Sequence, residues 1–548
     1  MEKIIEALKE EAILARKRSI KSLFNSGADR IDLFTAEHGS FKIDYSKQNI
    51  SSQGWSLLLD YYYKSKIDHK IHALFSGKPV NVTENRPALH FALRAPKDVR
   101  SLPKHSSIVA DVHDELEAMA LIVRKIRKRK WRGYSGKAIT NIVSLGVGGS
   151  ELGPLLVCDA LQEIGSSIGD SIKLHFVSSM DGTQISQLLE VLDPERTLFI
   201  ISSKSFTTVD TFYNVNTALK WLTSYSGSIE LAKNHHFIGV SASQEKMEAW
   251  GIRKENQLIF WNWVGGRFSL WSTIGLPIAI KYGMDVFYEL LEGGYEMDFH
   301  FKNSTPESCL PTVLALISFW NSSFLEISAN AVLPYDGRLK LLPNYLSQLE
   351  MESNGKAVSV NGTEVRFKTS PIIWGELGPN AQHAFYQLLH QGTQDVSCDF
   401  ISTVKRYHNG ARPDVEADFL YQQQSLSLAN CFAQSSVLAF GDIFAEKEEI
   451  NPHKRYRGNQ PSTTLLIEEL TPRILGSLIA LYEHKTYVLS CLWDINPFDQ
   501  WGVELGKSIS EEALRAIHEP NYRNKFDDST KWLLTQVSDW SSKDDTNK

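Results

Sequence analysis

The sequence predicts an α/β protein of two doubly wound units side by side, and three observations carry that expectation. The chain has 548 residues, more than a single hydrophobic core usually serves. Short apolar runs alternate with longer amphipathic ones, as parallel strands do with crossover helices. Glycine-rich and hydroxyl-rich segments stand where two of the apolar runs end, the edge at which such sheets take ligands.

The first unit is readable from about residue 138. Strands are expected at 141–147, 173–179, 197–203, 236–242 and 258–263, each a short apolar run. Helix-like segments fall between them at 152–164, 183–192 and 208–223. A mostly helical stretch near 306–328 precedes a second set of strands, expected at 370–374, 397–402 and 463–467. No Gly/Ser-rich or Pro-rich linker separates the sets, so the units are expected to share a large interface. From residue 508 the tail reads as helical and ends in a polar run expected to fray.

Composition narrows the function classes. Apolar residues make up 42% and charged residues 22%, an ordinary globular balance. The net charge of -6 gives no general attraction to nucleic acid or anionic lipid. The basic run from Arg124 to Lys130 is then a solvated helix face. Five cysteines without a C-x-x-C pair suit neither a disulfide framework nor a zinc site and point to a reducing compartment. Residues 1–21 have helical spacing without the apolar core of a signal peptide, and no window approaches about 20 uncharged apolar residues. A cytoplasmic location is expected.

Two segments carry binding chemistry. Gly146, Gly148, Gly149 and Ser150 follow a strand and precede a helix, where backbone N–H groups favour an anion and glycines permit close approach. The pattern is neither a Walker loop nor a full dinucleotide fingerprint, and a tight structural turn explains it equally. Residues 200–211 hold six hydroxyls beside Lys204. Helix capping needs only one of them, whereas a phosphate dianion accepts many hydrogen bonds.

Two more suggest catalysis. Asn354-Gly355 reads as a helix stop, placing Glu352 in the last turn, where the negative end of the dipole favours the protonated carboxyl of a general base. A solvated surface Glu is the plainer alternative. His383, near an expected helix start, suits proton transfer at neutral pH. It lies about 10.5 Å along a helix from His390, too far for one metal; His390 reads as a hydrogen-bonded core residue.

Taken together these segments resemble glucose-6-phosphate isomerases. The run from Gly146 to Pro154, the run Val264-Gly265-Gly266-Arg267-Phe268-Ser269-Leu270-Trp271-Ser272, and the run from Trp493 to Lys507 are similar to that family's three signatures, in order. The likeness extends from Asp44 to Lys507. It implies two sugar-isomerase (SIS) domains, with a helical segment at 1–115, a smaller domain at 116–290, a larger one at 291–507 and a helical arm at 508–548. It implies a homodimer with shared active sites, a sugar phosphate substrate and no metal or cofactor. Gly149, Ser150, Ser203, Lys204, Ser205 and Thr208 would hold the phosphate. Glu352 would carry the proton between C1 and C2, and Arg267 would stabilise the enediolate. His383, from the neighbouring subunit, and Lys507 would assist ring opening, while Gln348 and Gln500 would position the sugar.

Several positions depart from the family pattern: Ser205 for threonine, Asp210 for glutamate, Leu349-Glu350 for Gly-Asp, and Gln460 for arginine. Fine details of sugar contact or packing rest on them, not the reaction. A non-catalytic sugar-phosphate regulator would need no base or cation, so Glu352, Arg267 and Lys507 together argue against it. An isomerase of a related sugar phosphate shares the chemistry. A dehydrogenase would need an acidic residue ending the strand after the glycine loop, and 177–180 offers none.

Overall fold

The computed structural model describes residues 1–25, 29–98, 106–163, 172–406, 417–444 and 451–545. They fall into two compact units, Met1–Pro497 and Phe498–Lys548. The first contains β1 (Thr35–His38), β2 (Phe41–Asp44), β3 (Asn141–Leu145), β4 (Lys173–Val177), β5 (Thr197–Ser202), β6 (Phe237–Ser241), β7 (Gln257–Ile259), β8 (Ala329–Pro334), β9 (Ile372–Gly375), β10 (Ser397–Lys405) and β11 (Ser462–Glu469).

The first sheet is wholly parallel, in the order β4-β3-β5-β6-β7. Its central strands are continuous apolar runs because both faces are covered: every residue of β5 and β6 is buried. The core joins Val143 and Leu145 of β3, Phe199 and Ile201 of β5 and Phe237 of β6 to Val215, Ala218 and Leu222 of the helix Val209–Ser226. The second sheet runs β1-β2-β11-β10-β8-β9, with β11, β10, β8 and β9 parallel and the β1–β2 hairpin antiparallel against β11. Both parallel sets begin with their second strand outside the first, so each reverses direction between the first and third strands.

Expected and observed elements differ in definite ways. β7 stops at Ile259, because the chain turns so that the Val264 N–H bonds the Trp261 carbonyl at 3.0 Å. His236 is not in a strand. It ends the helix Ile229–His236, where its Nδ1 donates to the Thr197 carbonyl at 2.6 Å and its Nε2 accepts the Tyr134 N–H at 2.9 Å. β8 and the β1–β2 hairpin were not anticipated, and the hairpin sets strands inside the stretch expected to be helical. The second unit begins at Phe498. It contains the helices Glu504–His518 and Asp528–Asp545, with Arg515 over the Tyr522 ring at 3.7 Å.

The helix Pro472–Trp493 is buried at every position from Leu475 to Trp493. Thr471 caps it, its side chain accepting the Ile474 N–H at 3.2 Å; Pro472 supplies the first turn, and Asp494 ends it in the left-handed region at φ 58°. Three consecutive ionisable residues lie within it, and each is met by an ionisable side chain. Glu483 accepts from Arg94 at 2.5 Å and from the Trp271 indole at 2.8 Å, His484 reaches Asp298 at 2.7 Å, and Lys485 reaches Glu350 at 2.9 Å. Arg94 also grips Asp298 with two bonds, at 2.6 and 2.7 Å. All five cysteines are buried and unpaired with one another. Among the described residues no helix is long and apolar enough to cross a membrane.

Candidate active site

Residues 146–150 follow β3 and residues 203–208 follow β5, so both loops open at the reversal point of the first sheet, where parallel sheets bind ligands. Capping does not explain the hydroxyls. Thr208 precedes the helix Val209–Ser226 without a side-chain cap bond, and its Oγ1 instead meets Ser203 Oγ at 2.9 Å. The helix therefore presents uncapped N–H groups beside a hydroxyl pair, an arrangement suited to a dianion. Ser205 is exposed and accepts from Thr207 Oγ1 at 2.9 Å. Lys204 donates to the carbonyls of Asn262 at 3.0 Å and Val264 at 2.8 Å, tying the hydroxyl loop to the segment leading to Arg267. Burial, and then the neighbouring Arg86 charge, push its ammonium down to about 8.

The glycine loop is held against that same segment. A side chain at Gly149 would meet backbone, its Cβ falling 2.1 Å from the Gly266 oxygen. Ser269 Oγ bonds the Gly149 carbonyl at 3.3 Å. Gly148 is left-handed at φ +59°, and the Gln348 amide nitrogen stands 2.9 Å from where its Cβ would be. Gln348 thus packs across the loop that carries Ser150.

Arg267 is 3% exposed. Its Nη1 lies 3.4 Å from Glu352 Oε2, its Nε donates to Ser353 Oγ at 2.6 Å, and its Nη2 donates to the Pro497 carbonyl. A planar guanidinium gripped on three sides is a fixed cation, which a flexible ammonium is not. Glu352 keeps a partly open carboxylate, its side chain 24% exposed. It lies in the last turn of the helical run that stops at Asn354, as expected, but that turn is π-helical, Ser347–Glu352, a geometry common at functional sites. Lys356 Nζ takes up the carbonyls of Glu352 at 3.1 Å, Ser353 at 2.9 Å and Asn496 at 3.2 Å, supplying the cation that helix ends favour.

The structure thus brings Gly149, Ser150, Ser203, Lys204, Thr208, Arg267, Gln348 and Glu352 into one run of contacting segments, with Ser205 on its rim. His383 stands apart. It occupies the last turn of the helix Gly378–Ala384 rather than its start, and it is exposed. Its companion His390 is half-buried, 2.8 Å from Gln434 Oε1. Gln500 and Lys507 belong to the second unit, where Lys507 pairs with Glu504 at 3.2 Å. Ser353 and the Pro497 carbonyl were not singled out from sequence, although each lies in a segment that was; only their bonds to Arg267 reveal them. Of the departures, Gln460 is buried and holds the approach to β10, accepting the Val396 N–H at 3.1 Å and donating to the Gln394 carbonyl at 3.1 Å. Leu349 is a buried residue of the π-helical turn itself.

The sequence model of the family described as phosphoglucose isomerase matches residues 44–534. A glucose-6-phosphate isomerase of Psychrobacter cryohalolentis is 51% identical over 97% of this chain and 96% of its own. One of Hydrogenovibrio crunogenus is 51% identical over 93% of this chain and 94% of its own. Among solved structures, a glucose-6-phosphate isomerase from Chlamydia trachomatis superposes with a TM-score of 0.83 at 30% identity, covering 95% of this chain and 97% of the other.

Proposed function

The chain belongs to the phosphoglucose isomerase family, and from that premise we propose that it interconverts glucose 6-phosphate and fructose 6-phosphate through an enediolate. The observation that carries the reading is the contact between a buried, fixed Arg267 and a partly open Glu352, beside a loop pair suited to phosphate. Removing a proton next to a carbonyl develops negative charge on oxygen. A cation already in place, in a site poor in water, stabilises that charge as it appears without reorganising. One carboxylate can take the proton from one carbon and return it to the next, so the chemistry calls for neither metal nor cofactor.

In this reading Ser150, Ser203, Lys204, Ser205 and Thr208, with the Gly149 backbone, bind the phosphate, and Gln348 and Gln500 orient the sugar. His383 and Lys507 move the protons of ring opening. The protein works as a homodimer, with His383 supplied across the interface. Exposure of His383, and of Trp532 and Trp540 on the C-terminal helix, supports that assembly. A cytoplasmic location completes the reading, supported by five buried, unpaired thiols.

The test is a coupled assay for fructose 6-phosphate on the protein and on Glu352→Gln. The amide keeps the shape but cannot accept the proton, so turnover falls about 10²–10⁴-fold with little change in KM. Absence of isomerase activity in the unaltered protein refutes the function, and full turnover in Glu352→Gln refutes the role of that residue.

A further inference from the structure

The π-helical turn ending at Glu352 is fastened from behind at two points. Glu350, two positions before Glu352, accepts from Lys485 Nζ at 2.9 Å, and each of these side chains is 4% exposed. Asn354, two positions after Glu352, is fully buried and donates from Nδ2 to the Thr486 carbonyl at 3.1 Å. Lys485 and Thr486 are consecutive residues of the buried helix Pro472–Trp493. Both anchors therefore end at one place on a rigid element. Glu352 lies between the anchored positions and meets Arg267 on the working side.

Stability is a poor reason for the ion pair. Burying two charges costs several kcal/mol per ion, and well-packed apolar residues of similar volume are often as stable or more so. One hydrogen bond and the attraction of nearby Asp399 for Lys485 offset that cost only in part, for the other oxygen of Glu350, Oε1, is buried without a partner among the described residues. What the pair supplies is direction, since one N–H···O bond between buried groups fixes where residue 350 sits against the helix. Asn354 fixes the far end in the same way.

We propose that Lys485 is a positioning residue for the isomerisation: through Glu350 it sets the register of the π-helical turn and so places the Glu352 carboxylate for proton transfer. The inference rests on Glu352 being the proton carrier. Lys485 itself touches no reacting atom.

The experiment uses the full chain and three variants: Lys485→Met, Glu350→Gln and the double replacement Lys485→Met with Glu350→Leu. Steady-state kcat and KM, and thermal unfolding, are measured for each. The single variants should lose about tenfold or more in kcat with KM within about twofold, since small misplacement of a reacting group lowers turnover rather than binding. The double variant is decisive. With both charges gone it should unfold no earlier than the unaltered protein, yet kcat should stay at least about tenfold down. A double variant that recovers full kcat, or one that cannot fold, shows a purely structural pair and overturns the inference. If the unaltered protein does not isomerise, or Glu352→Gln keeps full turnover, it is the proposed function that fails, and these controls run in the same assay.

Discussion

Gly149→Ala tests whether the glycine loop and the Arg267 segment form one rigid surface. The added Cβ would stand 2.1 Å from the Gly266 oxygen, 2.2 Å from the Gly266 carbon and 2.6 Å from the Arg267 nitrogen. Real Cβ contacts essentially never fall below 3.0 Å, so the two segments must part by about 1 Å, at an overpacking cost of about 1–3 kcal/mol. No rotamer relieves this, because every partner is backbone. Parting moves Arg267 away from the glycine loop, and a displacement of about 1 Å at a site of the proposed kind lowers turnover about 10²-fold. Gly266→Ala is the control for folding: a Cβ there meets nothing within 4 Å, so its unfolding free energy should stay within about 0.5 kcal/mol of the original. Denaturant titration and the coupled fructose 6-phosphate assay read the two effects. If Gly149→Ala keeps its stability and its kcat within about twofold, the segments yield independently and the argument from their contact is wrong.

Two other outcomes are expected. The His236 imidazole is pushed down to about 4 by burial, from an ordinary value of 6.5. The unfolded chain therefore takes up that proton first: its contribution to stability is constant above pH 6.5 and falls by about 1.4 kcal/mol per pH unit between there and pH 4. Urea titrations between pH 6 and 4.5 should give His236→Gln a slope shallower by about that amount, and equal slopes refute the assignment. For assembly, neither a His383→Ala homodimer nor a Glu352→Gln homodimer should be active, while a mixture of the two should regain activity. Sharing across the interface puts both lesions in one site and leaves the other intact. Mass-tagged chains establish that subunits exchange; exchange without recovered activity refutes the shared site.

What the sequence discloses depends on how strongly each residue's environment dictates its type. Strands buried on both faces, such as β3 and β5, announce themselves as apolar runs because two covered faces admit few polar side chains. β1 does not, since Thr35, Glu37 and His38 are exposed and nothing in their order marks a strand. β8 is obscured by the apolar helix Leu310–Phe319 and a separate π-helical turn, Trp320–Phe324, just before it, which share its composition. The site behaves in the same way. Glycines and hydroxyls after strands point to an anion from local pattern alone, but Arg267 meets Glu352 across 85 residues of chain, and Glu350 meets Lys485 across 135. No periodicity reports a partner so distant. The π-helical turn was unreadable for a different reason: Asn354-Gly355 marks where the helical run stops, as it does, but the extra residue per turn just before it leaves no mark in the sequence spacing.

The hairpin at 35–44 has a consequence for how the molecule is made. The first sheet is assembled from one continuous stretch, 141–259, and can close while the ribosome is still working on the rest. The other sheet cannot. Its hairpin pairs Asp44 with Thr464 and Phe41 with Ile467, so strands made early must wait for one made some four hundred residues later. Until β11 arrives, β2 offers an unpaired edge to any neighbouring chain, and loop closure over some four hundred residues is slow. Nascent chains stalled between β2 and β11 should therefore be the species that chaperones bind and that aggregates collect, while chains stalled just past residue 259 already protect a finished sheet.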